Sequence, residues 1–183
     1  MRRPFLTVLA PLLLVACSSP GDAVPPAAAS CIAGGEFHAE LYGAVRASLA
    51  WRDTGLHCEG MRRPHDAGAR LRFAGEVPVA DRMQKLAFIV ALPELEPGSV
   101  GRELRATVTL IEEDNGRFFS NADQDTCWAD VESQEALQTD DDSYAINGIV
   151  YCVAPLAALR SNASVVLRDL RFAGRVDWRG ATP

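Results

Sequence analysis

The sequence predicts an all-β domain, an antiparallel β-sandwich of jelly-roll or immunoglobulin-like kind, with a small closed β-barrel as the alternative. Three observations predict it. Hydrophobic residues alternate with a period of two over several stretches, turn-forming residues divide those stretches at hairpin-like intervals, and no long amphipathic helical stripe is present. About eight strands are expected in one domain spanning residues 31–183, enough chain for a core of its own.

From Phe37 to Trp51 every odd position is nonpolar, while the even positions include His38, Glu40, Arg46 and Ser48, which reads as one long strand with one buried face. Ala69 to Val77 and Leu104 to Leu110 alternate in the same way. Leu86 to Leu92 is a continuous apolar run and reads as a fully buried strand. Glu113-Asp114-Asn115-Gly116 precedes Phe118-Phe119, and its Asn-Gly pair predicts a tight hairpin in which both residues take positive φ. Further strands are expected at Thr126 to Val131, Tyr144 to Val153 and Val165 to Trp178. In the last the apolar phase changes around Arg168-Asp169, the sign of a β-bulge.

Four stretches share an apolar residue, a glycine two positions on and a valine two further: Leu41-Gly43-Val45, Phe73-Gly75-Val77, Ile146-Gly148-Val150 and Phe172-Gly174-Val176. Two of them are nearly identical, LRFAGEV and LRFAGRV. An inward glycine lets a strand bend or lets a large ring press on the backbone, and Trp51, Trp128 and Trp178 are the candidate rings.

Ahead of the domain the chain changes character. Arg2 and Arg3 precede an apolar run from Phe5 to Ala16 and then Cys17. The run falls short of the roughly 20 apolar residues that span a bilayer, so it reads as a secretory signal. Leu14-Val15-Ala16-Cys17 resembles the bacterial lipobox, in which an aliphatic residue and two small ones precede the modified cysteine. The resemblance implies cleavage before Cys17, acylation of that cysteine with diacylglycerol and a further acyl chain such as palmitate, and anchoring in a membrane. Ser18 is not the aspartate that resembles an inner-membrane retention signal, which points to the outer membrane of a Gram-negative cell. Residues 1–16 are then the signal peptide. Residues 17–30, rich in Pro, Ala and Ser, form a lipidated flexible tether.

Removal of residues 1–16 leaves 16 cations against 24 acids, a net charge of −8 with histidines neutral. Such an acidic chain is a poor nucleic-acid partner, because phosphate contacts need clustered cations. Seventeen of the eighteen cations are arginine and Lys85 is the one lysine, a bias expected of a GC-rich genome. Cys31, Cys58, Cys127 and Cys152 form an even set in an exported chain, so two disulfides are expected, Cys31 with Cys58 and Cys127 with Cys152, each joining neighbours in sequence. The spacing lacks the C-x-x-C of a zinc site.

Acidic residues crowd the second half: Glu112, Glu113 and Asp114, then Asn121, Asp123, Asp125, Asp130 and Glu132, then Asp140 to Asp142. Asn121, Asp123, Asp125, Asp130 and Glu132 make a candidate calcium site, since calcium takes six to eight oxygen ligands. From Asn121 the spacing is similar to an EF-hand loop, although Thr126 stands where the glycine turn belongs. A solvated acidic rim is the alternative. His57-Cys58 with His65-Asp66 would supply a nucleophile, base and orienter only if Cys58 were a free thiolate. Arg62-Arg63-Pro64-His65-Asp66 is the compact cationic spot, suited to pairing with the acidic loops or with anionic headgroups.

Two function classes stand. One is a noncatalytic module that binds an envelope protein or glycan through loops and exposed aromatics such as Tyr42 or Tyr151. The other is a metal-assisted hydrolase or calcium-dependent glycan-binding protein built on the acidic loops.

Overall fold

The computed structural model describes residues 31–64, 67–79, 81–138 and 142–179. Twelve strands carry these residues, with a single helical turn at Asp53–Gly55. In chain order they are β1 (Glu36–Gly43), β2 (Ala47–Arg52), β3 (His57–Arg62), β4 (Ala69–Val79), β5 (Arg82–Leu92), β6 (Gly101–Arg105), β7 (Thr107–Glu112), β8 (Arg117–Ser120), β9 (Cys127–Ala136), β10 (Ser143–Cys152), β11 (Leu156–Ala158) and β12 (Ser164–Asp177).

Hydrogen bonding links all twelve, and the connected sheet folds over on itself into two layers. The first runs β2-β1-β12-β10-β9-β6 and the second β3-β4-β5-β7-β8-β11. The long strand β12 joins them at both ends: β11 pairs with its start at Val165, and β3 meets its end through the parallel pair Met61 and Asp177. Every other pairing is antiparallel. The all-β antiparallel fold expected from the sequence is therefore present, and because β12 closes the hydrogen-bonded circuit β12-β11-β8-β7-β5-β4-β3 it is barrel-like as well as sandwich-like.

The predicted strand from Phe37 to Trp51 is two strands, β1 and β2, closed as a hairpin. Its alternation survives the turn because odd residues pair with odd ones, Phe37 with Trp51 and Ala39 with Leu49, so both arms bury the same parity. Gly43 makes the turn possible at φ 104°, where an added Cβ would lie 2.7 Å from the Ser164 carbonyl oxygen. The predicted strand Leu104 to Leu110 also divides. Arg105 pairs with Trp128 in the first layer, whereas Thr107 pairs with Ala91 in the second, and between them Ala106 donates its N–H to Cys127 O at 3.0 Å. The chain changes layers there without a break in its alternation, which left no mark in the hydrophobic pattern. At the Asn-Gly turn only Gly116 takes positive φ, and four residues separate the closing pair Glu112 and Arg117, so this is a wider hairpin than the dipeptide predicts. The β12 bulge lies where the phase change placed it: β1 slips register between His38 and Glu40, and Asp169 has φ 49°.

The core lies between the layers and is organised by rings. Phe37 packs on Trp51, Phe73 and Phe88 at centroid distances of 5.3, 5.1 and 4.8 Å, and Phe73 meets Phe172 at 5.4 Å. Three of the four glycines of the repeated pattern receive these rings. An added Cβ on Gly75 would lie 2.6 Å from the Trp51 ring, and one on Gly174 would lie 2.8 Å from the Phe73 ring. On Gly148 it would meet the Asp130 carbonyl and the ring of Phe172, its own cross-strand partner. The two LRFAG segments thus face each other across the core, the phenylalanine of one resting on the glycine of the other. Trp51 is one of the three predicted rings; the other two roles fall to phenylalanines, because Trp128 and Trp178 belong to other contacts described below.

Both disulfides pair as expected, Cys31 with Cys58 and Cys127 with Cys152. The first ties the segment leading into β1 to β3 of the opposite layer. The second closes a cross-strand pair of β9 and β10 within one layer.

Candidate binding cleft

A concavity of about 680 Å³ opens where the end of β2 passes over β4. Ala50, Trp51 and Arg52 of β2, Thr54 and Gly55 of the helical turn and His57 at the start of β3 form one side. Arg72, Ala74 and Glu76 of β4, Met83 and Lys85 of β5 and Glu113 of the β7–β8 turn form the other.

Trp51 sets the geometry. Its ring lies on Gly75, and its indole Nε1 donates to Glu76 O at 2.9 Å, so one side chain fixes the height of β2 above β4. The turn that follows starts with Asp53 at φ 50°, a conformation that costs a non-glycine residue energy and persists only where the surroundings impose it. On the opposite wall Arg72 pairs with Glu113 at 2.6 Å. Lys85 stands across the strand pair from Glu76. The backbone N–H of Lys85 donates to Asp114 Oδ2 at 2.9 Å, and Glu113 N donates to Lys85 O at 3.0 Å, which pins the β7–β8 turn to β5. Met83 leaves 55% of its surface exposed, a flexible thioether beside charged walls.

The cleft presents cationic, anionic and apolar groups on strands rather than on long loops, an arrangement suited to holding a polar ligand in a fixed orientation. Cys58, next to His57, is bonded to Cys31, so the nucleophile-and-base reading of His57-Cys58 is removed: a disulfide sulfur is not a thiolate. His65 and Asp66 lie outside the described residues.

The acidic residues are dispersed. Glu112 is buried, and its carboxylate is held by Gln84 and Arg117, with Asn115 Nδ2 at 3.4 Å. Asn121, also buried, accepts from Val108 N through Oδ1 at 2.7 Å and donates through Nδ2 to Ala106 O and Gln124 O, both at 3.1 Å. These bonds dock the 120s loop onto β7. Asp130 Oδ1 accepts the N–H of Glu103, a residue at φ 54°, at 2.8 Å. Asp123, Asp125 and Glu132 point into solvent. Among the described residues no three His, Cys, Asp or Glu side chains gather as a metal-holding group. Asp140 and Asp141 lie outside those residues. Asp142 contributes its carbonyl, which accepts Trp178 N at 2.9 Å. In the cationic spot Arg62 ends β3 and is exposed, while Arg63 donates to Ala67 O at 3.3 Å.

The remaining tryptophans serve other surfaces. Trp178 Nε1 donates to Gln134 Oε1 at 2.7 Å, and Gln134 in turn donates to Glu96 O and Ser99 O, holding the loop between β5 and β6. Trp128 stacks on its cross-strand partner Tyr151 at 6.1 Å. Partial loss of hydration raises the Tyr151 hydroxyl above the usual tyrosine range, and the carboxylates of Asp130 and Glu103 push it the same way. Tyr42 lies under the guanidinium of Arg168 at 6.0 Å.

No family model, curated protein or solved structure matches the chain. The class that the fold defines is a disulfide-bonded, nearly all-antiparallel β domain of sandwich or barrel-like kind. The cleft brings together residues from four separate stretches of chain, and of these Trp51, His57, Gly75 and Glu113 were singled out by the sequence for a role. The lone lysine was the one other signal available, because Lys85 breaks an otherwise all-arginine pattern at a cleft wall.

Proposed function

We propose that the protein is an envelope lipoprotein, anchored by lipid on Cys17 at the outer membrane, whose folded domain is a noncatalytic module that receives an envelope protein or glycan in the β2–β4–β5 cleft. The observation that carries the binding reading is the cleft wall itself: Arg72 with Glu113 and Trp51 with Glu76 form a braced polar surface next to exposed Met83. The anchor reading rests on the lipobox-like residues and the tether; Cys17 lies outside the described residues. Two or three acyl chains, at about 0.8 kcal/mol per buried methylene, hold such a domain on a bilayer.

Two measurements test the two halves separately. Cys17→Ser is expected to abolish palmitate labelling and leave the chain unprocessed; unchanged labelling would sink the anchor. A photo-crosslinking residue at Met83 in cells is expected to give discrete adducts absent from the same residue at Val153. If neither position yields an adduct, and purified peptidoglycan and lipopolysaccharide leave the melting temperature unmoved, the cleft is not a binding site.

A further inference from the structure

The strands at the margins of the two layers are not equally protected. An open sheet edge offers unpaired N–H and C=O groups to any strand that fits, and folded proteins blunt such edges by irregularity, shortness or cover. The edge strand β6 breaks register between Gly101 and Leu104 and carries Glu103 at positive φ. At the margins of the second layer, β11 has three residues and is paired on both sides, and β3 is closed over by β12 at Met61. The remaining margin, β2, is regular over six residues, contains neither proline nor lysine, and pairs with β1 alone. No backbone bond from Ala47–Arg52 to another part of the fold is present among the described residues. The space beside Ala50, Trp51 and Arg52 is the mouth of the cleft, so no other segment of the described chain fills it.

We infer that the β2 edge is a self-association site, on which a second copy of this chain adds its own β2 antiparallel. Residues opposite each other in such a pair must share a face, so the dyad has to pass through a residue and not between two. Two registers give the longest overlap. A dyad on Leu49 would set Arg52 against the partner's Arg46, a like-charge pair. A dyad on Ala50 sets Arg52 opposite the partner's Ser48, and on the partner the side chain lying over Ser48 is Glu40. The Glu40 carboxylate already leans toward the β2 edge, since Ser48 Oγ donates to its Oε1 at 2.5 Å. Arg52, paired with Glu36 at 2.9 Å in its own copy and highly exposed, would then lie between two carboxylates, one from each chain. The symmetry writes this row twice and places the two exposed Ala50 side chains at the centre, where their small size lets the strands close. Charge complementarity therefore selects one register and one kind of occupant. The inference rests on neither the anchor nor the cleft reading, but the added strand takes the space at the cleft mouth, so a dimer and a cleft ligand compete for it.

The test is disulfide trapping of the full chain in the cell that exports it, read on nonreducing gels. Ala50→Cys is expected to give a disulfide-linked dimer, while Val153→Cys, placed at another highly exposed residue, stays monomeric. Adding Arg52→Glu or Glu40→Arg to Ala50→Cys sets like charges across the dyad and is expected to lower the dimer about tenfold or more. Co-expressing the two double variants restores opposite charges at both rows and is expected to restore a mixed dimer. Should either charge variant fail to accumulate, Ser48→Cys and Arg52→Cys decide the register: together they should cross-link, and Ser48→Cys alone should not. The inference is overturned if Ala50→Cys dimerises no more than Val153→Cys, if charge reversal leaves the dimer unchanged, or if Ser48→Cys cross-links as well alone as with its mate.

Discussion

The two disulfides close loops of nearly equal length, with sequence separations of 27 and 25, yet they do different work in the folded state. Cys31–Cys58 ties the two layers together beside the place where β12 passes from one to the other. Cys127–Cys152 joins neighbours that the β9–β10 ladder already pairs along its whole length. In the chain-entropy model both constrain the unfolded chain by about 3.5 kcal/mol, so any difference between them must come from the native structure. The comparison separates ties between layers from ties within one.

The largest expected effect is therefore from Cys31→Ser with Cys58→Ser, which removes the unfolded-state term and also frees the lead-in to β1. Denaturant unfolding should show a loss of about 4 kcal/mol or more, against about 3 kcal/mol for Cys127→Ser with Cys152→Ser. Equal losses would mean that the layers are held by packing and by the pairings of β12, with no native-state contribution from Cys31–Cys58. A second contrast sharpens the point without touching a covalent bond. Gly174→Ala forces a methyl against the Phe73 ring between layers and is expected to cost about 1–3 kcal/mol. Tyr151→Ala, which removes a stacked pair lying within one layer, should cost about 0.5–1 kcal/mol.

The smallest effect concerns the β12–β3 junction. Arg179 hydrogen-bonds Asp177 and holds its carboxyl below the usual range, with Arg175 adding to the effect. A carboxylate with a lowered folded-state pKa contributes stability above its unfolded value, about 3.9, and loses it as pH falls through the folded value. Asp177→Asn should therefore flatten the acid limb of a pH–stability curve slightly, while leaving the curve above about pH 5 nearly parallel to the unmodified one.

The sequence showed those features whose cause is local. The cysteine pairing was legible because each pair closes the nearest available loop, and the β12 bulge because a bulge shifts the phase of alternation. The β1–β2 turn and the change of layer at Ala106 were hidden for the same physical reason in reverse: both preserve parity, so the alternation runs through them unmarked. Strand β3 was missed because His57, Glu59 and Arg62 leave only Cys58 buried along its length. The cleft was missed because its walls come from β2, β3, β4, β5 and a hairpin turn, and no spacing in one segment signals a surface that long-range pairing assembles. The acidic run has spacing like a ligand set, whereas Asn121 is buried and bonded to backbone groups and Glu112 is buried and bonded to the side chains of Gln84, Arg117 and Asn115, a distinction that composition does not carry.

One consequence of the Cys31–Cys58 bond concerns force. Tension applied to the chain ahead of Cys31, as the proposed anchor would apply it, meets the fold at a covalent link and crosses to Cys58 without travelling along residues 32–57. Strands β1 and β2 lie within that bypassed loop and carry no load while the bond is intact. The pull falls instead on β3, sheared against β4, and the cleft mouth and open edge of β2 keep their shape under strain until the cystine is reduced.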